Sequence, residues 1–238
     1  MPLYLDFRAW LLQNDPDAEE MLHWCQNDLV PPATPEAMAG EIIWVILCAG
    51  RSAQAARTIE ARVRAALNAG RPVVEVFGYR AKAAAIERAW RERQQDFASL
   101  QLVLARHSGE RLVEWCGDLP FIGDDTKFQL AKNWQGLVCK PDIWICRLTG
   151  IPDRPRRSVK LRFPACMALC QLLAEGSGDS IATVDSLLWL GANKGVLQVD
   201  ASAGPIRFVR APIRARSILE PAAPAATCAA GQGELFGP

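Results

Sequence analysis

Helical periodicity is the feature that most constrains the fold of this chain. From Ser52, the expected N-cap, to Gly70, apolar side chains recur at the three- and four-residue spacing of one helix face. Residues 79–97 are rich in alanine and other strong helix formers. The same signals predict helices at 35–49, 109–117, 124–133, 142–149, 163–174 and 180–192. The chain is therefore predicted to be mainly α-helical.

Signals for β-strands are confined to the end of the chain. The segments VLQV at 196–199 and IRFVRA at 206–211 are separated by the turn sequence DASAGP, which predicts a small late β-hairpin. After Ser217 the sequence is rich in alanine, proline and glycine and poor in charge, so it lacks a core-forming pattern. We therefore expect a globular domain over residues 1–217 and a flexible C-terminal tail over 218–238.

Composition argues against several classes of protein. The net charge of +1 means that any anion-binding surface is local. No run of about 18 apolar residues is present, and the start of the chain lacks the basic segment of a signal peptide. We therefore expect a cytoplasmic protein without a membrane partner. We also expect a monomer.

The eight cysteines do not follow a metal-binding pattern. They include no Cys-x-x-Cys pair, and the chain has only two histidines, His23 and His107. Most of the cysteines lie within apolar helical patterns, as Cys48, Cys166 and Cys170 do, where a reduced thiol acts as a small hydrophobic side chain. We expect structural thiols, no metal site and no cofactor.

Two short segments point to a site. LPFIG at 119–123 separates two amphipathic patterns and predicts a tight helical hairpin over residues 109–133. Free backbone N–H groups at such a hairpin and the positive end of its second helix favour a phosphate group, although an ordinary hairpin without a ligand is the alternative. Further along, Asp142 follows a proline and precedes an apolar helix, which is a frequent N-cap position.

Taken together, LPFIG and PDIWICRL resemble the helix-hairpin-helix DNA glycosylases of the endonuclease III superfamily. The segments EIIWVILCAGRSAQAART, FGYRAKAAAIERAW and VDSLLWLGANKG are also similar to parts of that family, so the resemblance spans roughly residues 36–195. It implies a two-lobed helical fold. It also implies an enzyme that excises a damaged, mismatched or modified base from double-stranded DNA. Within the catalytic segment 140–149, Asp142 would stabilise the sugar cation and activate water.

The same resemblance implies roles for other residues. The residues expected to contact DNA are Leu119, Pro120, Phe121, Ile122, Gly123, Thr126, Lys127, Arg51 and Lys140. Arg51 would also fill the space that an extruded base leaves behind. The aromatic candidates for a base pocket are Trp144, Trp134, Trp90 and Tyr79, with a core position as the alternative for each tryptophan. The basic run RPRRSVKLR at 154–162 would lie along DNA phosphates or simply be solvated.

Two positions depart from the family pattern. Phe121 stands where the hairpin usually carries its first glycine, which predicts a less close approach to a phosphate. Asp125 stands where members that also cleave the DNA backbone carry a lysine nucleophile, and a carboxylate cannot form a Schiff base. The resemblance therefore implies a monofunctional glycosylase without lyase activity.

The sequence QGELF at 232–236 resembles the motif by which bacterial repair and replication proteins bind the sliding clamp. Gln232 would make polar contacts, while Leu235 and Phe236 would fill an apolar pocket. Two alternatives are open for the whole chain. One is a base-modifying transferase on the same fold, of the kind associated with phage DNA hypermodification. The other is a non-catalytic DNA-binding module tethered to the clamp.

Overall fold

The computed structural model describes residues 1–51, 53–210 and 213. Several predictions concern residues outside this range: the N-cap at Ser52, the flexible tail at 218–238, and the clamp-type residues Gln232, Leu235 and Phe236.

The described residues form twelve helices and one two-stranded sheet. In chain order the helices are α1 (Pro2–Asn14), α2 (Pro16–Asn27), α3 (Pro35–Cys48), α4 (Ala53–Asn68), α5 (Val74–Phe77), α6 (Arg80–Arg91), α7 (Arg93–Leu104), α8 (Gly109–Gly117), α9 (Thr126–Gln135), α10 (Ile143–Leu148), α11 (Val159–Ser177) and α12 (Ile181–Asn193). Strands β1 (Leu197–Gln198) and β2 (Arg207–Phe208) pair antiparallel. The predictions of a mainly helical chain and a small late β-hairpin are confirmed. None of the described helices has the length and apolarity needed to cross a bilayer.

Short polar side chains explain where several helices begin. The hydroxyl of Thr34 accepts a hydrogen bond from the backbone N–H of Ala37 at 3.1 Å, which caps α3. Ser108 caps α8 and Ser180 caps α12 in the same way. These local signals are the reason that the predicted bounds of α8 and α12 agree with the structure to within one residue; those of α9, which has no side-chain cap, agree to within two.

Two predicted helices differ from the structure. The helix predicted at 79–97 is divided at Glu92, and Arg88 spans the break with ion pairs of 2.7 Å to Glu92 and to Asp96. The break lets α6 and α7 both pack against α3, which one straight helix of that length would not do. Helix α11 starts four residues before its predicted start at 163 and continues through Pro164.

The buried apolar residues form two clusters. The first cluster contains residues of α3 to α9, from Met38 to Val138, and the second contains residues of α1, α2, α10, α11, α12 and β1. Phe163 and Met167 of α11 pack against both clusters. The chain passes from the first cluster to the second between Val138 and Cys139, shortly before Asp142.

Partly buried ion pairs connect the first two helices to the two ends of α12. At the start of α12, Asp179 accepts hydrogen bonds from the Arg8 guanidinium at 2.8 and 2.9 Å and from the Tyr4 hydroxyl at 2.9 Å. At its other end, the Lys194 amine lies 2.6 Å from a carboxylate oxygen of Asp15 and 2.6 Å from one of Asp17. Helices α1 and α2, for which periodicity made no prediction, thus complete the second cluster.

Candidate functional site

Asp142 is held rigidly at the start of α10. Its Oδ1 accepts hydrogen bonds from the backbone N–H groups of Trp144 at 2.9 Å and Ile145 at 3.1 Å. Within the described residues, its Oδ2 accepts no hydrogen bond. One carboxylate oxygen is therefore fixed by the helix, while the other is left for a ligand or a water molecule.

The surroundings of Asp142 make its carboxyl group a weaker acid. Burial raises the pKa of Asp142 above its ordinary value, and the negative charge of Asp185 raises it further. The backbone N–H of Ile145 and the positive charge of Lys140 act in the opposite direction. A carboxylate with a raised pKa is a better proton acceptor, which suits the activation of a water molecule.

A buried ion pair that the sequence analysis did not predict lies behind Asp142. The Lys132 amine of α9 is 2.5 Å from Asp185 Oδ2 of α12 and 3.2 Å from the Ser186 hydroxyl. The other Asp185 oxygen accepts a hydrogen bond from the backbone N–H of Lys140 at 3.4 Å. Burial favours a lower pKa for Lys132, but the charge of Asp185 outweighs it and raises the pKa, so the amine stays charged. The pair joins α9 to α12 and supports the segment that leads into Asp142.

The turn between α8 and α9 is anchored by two of its own side chains. Leu119 and Ile122 are buried in the first cluster, so they hold the turn in place and do not present side chains to a ligand. Pro120, Phe121 and Gly123 are exposed. The predicted DNA contacts of Leu119 and Ile122 therefore do not involve their side chains, and their backbone N–H groups already donate to Cys116 and Leu119.

The exposed side of this turn carries unbonded backbone donors. Among the described residues, the N–H groups of Phe121, Asp124, Asp125 and Thr126 have no hydrogen-bond acceptor. The N–H of Gly123, by contrast, donates to the Thr126 hydroxyl at 2.8 Å. Unbonded donors at the start of a helix are the arrangement that accepts a phosphate oxygen.

The carboxylates of the turn are offset by nearby cations. Lys127 forms an exposed ion pair with Asp124 at 3.2 Å. Asp125 accepts hydrogen bonds from the Arg156 guanidinium and, at 2.9 Å, from that of Arg162. These contacts reduce the repulsion that the turn would otherwise exert on a phosphate.

Arg162 connects the turn with Asp142. Its buried guanidinium donates to Asp125 and also, at 2.5 Å, to the carbonyl oxygen of Pro141, the residue before Asp142. The basic run 154–162 is therefore not a uniform solvated surface. Of its five basic side chains, Arg162 is buried, whereas the other four, Arg154, Arg156, Arg157 and Lys160, are exposed.

Further cations lie around the end of α3. The Lys82 amine donates hydrogen bonds to the carbonyl oxygens of Ile46 and Ala49, both at 2.7 Å. It therefore supplies donors for two carbonyl groups at the end of α3. Lys140 lies close enough to both Asp142 and Cys48 for its positive charge to act on each of them. The end of α3 therefore lies near the start of α10. The predicted Lys140 thus lies near Asp142.

The four aromatic candidates for a base pocket occupy different environments. Trp134 has no exposed surface and donates to Glu41 at 2.7 Å, so it is a core residue and offers no face to a base. Trp90 is partly buried against the first cluster with the Arg93 guanidinium over its ring. Trp144 stacks on Arg147, 4.7 Å from ring centre to guanidinium carbon, and lines a groove beside the β-hairpin. Of the four, Tyr79 is the most exposed.

The contact between Trp134 and Glu41 predicts a pH-dependent stability. Burial raises the pKa of Glu41 to about 7 from its ordinary value of 4.5. The folded state therefore holds a proton that the unfolded state releases first, so stability falls as pH rises from 4.5 to 7, by about 3 kcal/mol in all. Glu41→Gln keeps an acceptor for Trp134 without the charge. Urea unfolding should show the variant more stable than the wild type by about 1–3 kcal/mol at pH 8.5 and nearly equal at pH 4.5.

A Glu41→Leu variant serves as the control for this comparison. It also removes the charge, but it leaves the indole N–H of Trp134 without an acceptor, which costs about 1–3 kcal/mol. Its gain at pH 8.5 should therefore be smaller than that of Glu41→Gln. A Glu41→Gln effect of the same size at both pH values would contradict the ionisation of Glu41 as the cause.

The thiols lie mostly in the cores. Of the seven described cysteines, Cys48 is half-buried and the other six are buried. No disulfide joins the described cysteines, and no group of three potential metal ligands occurs among the described residues. Cys228 lies outside that range.

The site therefore combines a fixed carboxylate, a turn with unbonded N–H groups, and an arginine that donates to the turn and to the residue before the carboxylate. Asp142 supplies the carboxylate, residues 118–125 form the turn, and Arg162 connects them. Of the sequence-predicted residues, Asp142, Lys140 and the turn are brought together, whereas Trp134 is withdrawn into the core. Comparison of the chain with protein-family models, with curated proteins and with solved structures finds no match.

Proposed function

We propose that this chain is a monofunctional DNA N-glycosylase that excises a damaged, mismatched or modified base from double-stranded DNA. The proposal depends on the geometry of Asp142. One of its carboxylate oxygens accepts hydrogen bonds from two backbone N–H groups, and the other accepts none among the described residues. A fixed carboxylate in a partly buried position is what cleavage of an N-glycosidic bond requires.

The proposal includes a two-lobed helix-hairpin-helix fold. It is supported by the two apolar clusters, between which the chain passes just before Asp142. It is also supported by the order of the segments, with α8, a tight turn and α9 preceding the helix that Asp142 caps. The link through Arg162 gives a physical reason for that order, because one side chain joins Asp125 of the turn to the backbone of Pro141, the residue before Asp142.

The chemistry follows from the geometry of Asp142. As the bond between the sugar carbon and the base breaks, both electrons leave with the base and positive charge develops on the deoxyribose. The Asp142 carboxylate stabilises that charge, and its Oδ2 accepts a proton from the water that attacks the sugar carbon. The departing base takes up a proton from solvent. Lys140, the exposed arginines of 154–162 and the unbonded N–H groups of the turn bind phosphates and position the strand.

The test is a panel of DNA duplexes, each carrying one lesion or modified base, incubated with the full chain. Released bases are identified by mass spectrometry, and abasic sites are revealed by alkaline cleavage. Release of at least one base supports the proposal. A gain in mass of the DNA without base release would indicate the transferase instead, and binding without any chemical change would indicate a non-catalytic module.

We predict that the product DNA keeps an intact backbone until alkali is added. Asp125 offers no amine, and the Lys132 amine is buried in its ion pair with Asp185, so sodium borohydride should trap no covalent protein–DNA adduct. Lys140→Met is the control, because Lys140 is the amine near Asp142. Efficient trapping by the wild type would contradict the monofunctional assignment; its loss in Lys140→Met would identify Lys140 as the nucleophile, and its persistence would indicate Lys127.

We also propose that the protein acts as a cytoplasmic monomer on nucleoid DNA and binds a bacterial sliding clamp through Gln232, Leu235 and Phe236. A peptide of residues 228–238 should then bind a bacterial clamp at micromolar strength. Replacing both Leu235 and Phe236 with alanine should remove binding, since the apolar pair supplies most of the burial. The same double change in the full chain should leave base release from short duplexes unchanged. Retained binding by the doubly substituted peptide would contradict the proposed contact.

A further inference from the structure

Phe121, at the tip of the turn between α8 and α9, combines a strained backbone with an exposed ring. Its φ angle is +66°, in the left-handed region that favours glycine. Its side chain nevertheless remains 40% exposed, so burial of the ring does not offset the strain. Strain of this kind at an exposed position is characteristic of sites that bind a ligand.

A second exposed aromatic residue contacts Phe121. Tyr79, at the start of α6, is 49% exposed, and its ring meets that of Phe121 edge to face with the centroids 5.9 Å apart. The Lys82 amine lies 5.8 Å from the centre of the Phe121 ring and is itself held by two carbonyl oxygens of α3. The position of the Phe121 ring is therefore set by groups on two sides, while part of its surface stays open.

The surroundings of this aromatic pair are cationic. Arg51 is exposed and lies over the ring of Phe77, two residues before Tyr79, with its guanidinium carbon 5.0 Å from the ring centre. Burial lowers the pKa of the Lys82 amine, and the nearby positive charge of Arg51 lowers it further. The backbone N–H of Phe121 has no acceptor among the described residues. Exposed rings beside cations and a free N–H match a ligand with a flat apolar ring and an anionic group.

We propose that Tyr79 and Phe121 form a stacking platform for an unpaired nucleobase of a DNA strand, whose phosphate is held by the cations beside it. A nucleotide has both the aromatic face and the negative charge that this surface complements, and stacking on aromatic side chains tolerates every base. The inference rests on the proposed function for the identity of the strand as DNA. It adds that the turn holds a base that has left the duplex, in addition to a phosphate.

The experiment uses the full chain and 2-aminopurine, a fluorescent base whose emission reports stacking. One duplex places 2-aminopurine opposite an abasic analogue, and a matched duplex places it opposite thymine. Because stacking on an aromatic side chain contributes about tenfold or more in affinity per base, wild-type protein should prefer the unpaired duplex by about tenfold. Binding should also quench the emission of the unpaired base.

Two variants and one control test the residues. Phe121→Gly removes the ring and relaxes the backbone, so it does not endanger the fold, and Tyr79→Leu keeps an apolar side chain without a ring. Both should reduce the preference for the unpaired duplex to within about twofold. Leu102→Ala, at a side chain that is 72% exposed on α7, should retain the full preference.

The outcomes separate the platform from the proposed chemistry. A wild-type protein without preference, or a preference that persists in both variants, would overturn the platform even if bases are excised, and would leave the rings as a contact for another protein. In another outcome, the wild type prefers the unpaired duplex, both variants lose that preference, and yet no base is released from any duplex of the panel. This result would support the platform and overturn the proposed glycosylase activity.

Discussion

Replacing Asp142 with asparagine should reduce base release by at least about 100-fold while DNA affinity changes by less than about threefold. Asparagine keeps the oxygen that accepts hydrogen bonds from Trp144 and Ile145, so α10 should still begin at residue 143. It lacks the negative charge that stabilises the sugar cation and the basic Oδ2 that activates water. The measurement is single-turnover release from the best duplex of the panel, together with an affinity by fluorescence anisotropy.

The matched control for this substitution is Asp28→Asn. Asp28 is an exposed carboxylate at the end of α2, so its loss changes the net charge by the same amount without touching the site. Its base release should equal that of the wild type. Wild-type turnover by Asp142→Asn would remove the assignment of Asp142 and, with it, the proposed function.

The largest effect on stability is expected for Lys132→Met. Removing the amine leaves Asp185 as a buried carboxylate without its counterion, a change that costs about 3–5 kcal/mol in comparable buried pairs. Urea unfolding at pH 7 should show this loss. The double variant Lys132→Met with Asp185→Asn should recover at least half of it, because no uncompensated charge is left behind.

The double variant also distinguishes charge from packing. If the single and double variants lose the same stability, the cost comes from the shape of the methionine and not from the unpaired carboxylate. A loss below about 1 kcal/mol in Lys132→Met would contradict the ion pair between Lys132 and Asp185 as a large contribution to stability.

The parts of the site that the sequence predicted depend on neighbours along the chain. Asp142 was recognisable because an N-cap needs only the residues that directly follow it, and the structure shows those hydrogen bonds. The turn at 119–123 was recognisable because Pro120 and Gly123 lie between two amphipathic helices, α8 and α9. The roles of Asp142 and of the turn in DNA binding and catalysis stay predictions that rest on the family resemblance.

The sequence by itself determined the helical class, the ends of helices with polar caps, and the position of the candidate carboxylate, because all three follow from interactions within a few residues. Tertiary structure alone decided that Lys132 pairs with Asp185, 53 positions further along the chain. It also decided that Arg162, unlike the rest of the basic run, is buried and donates to Asp125 and Pro141, and that Trp134 is buried. Each of these depends on which helix faces pack together. Periodicity marks the apolar face of a helix, but it does not identify the partner of a charged or aromatic side chain on another helix, and that partner decides whether the side chain is core or surface.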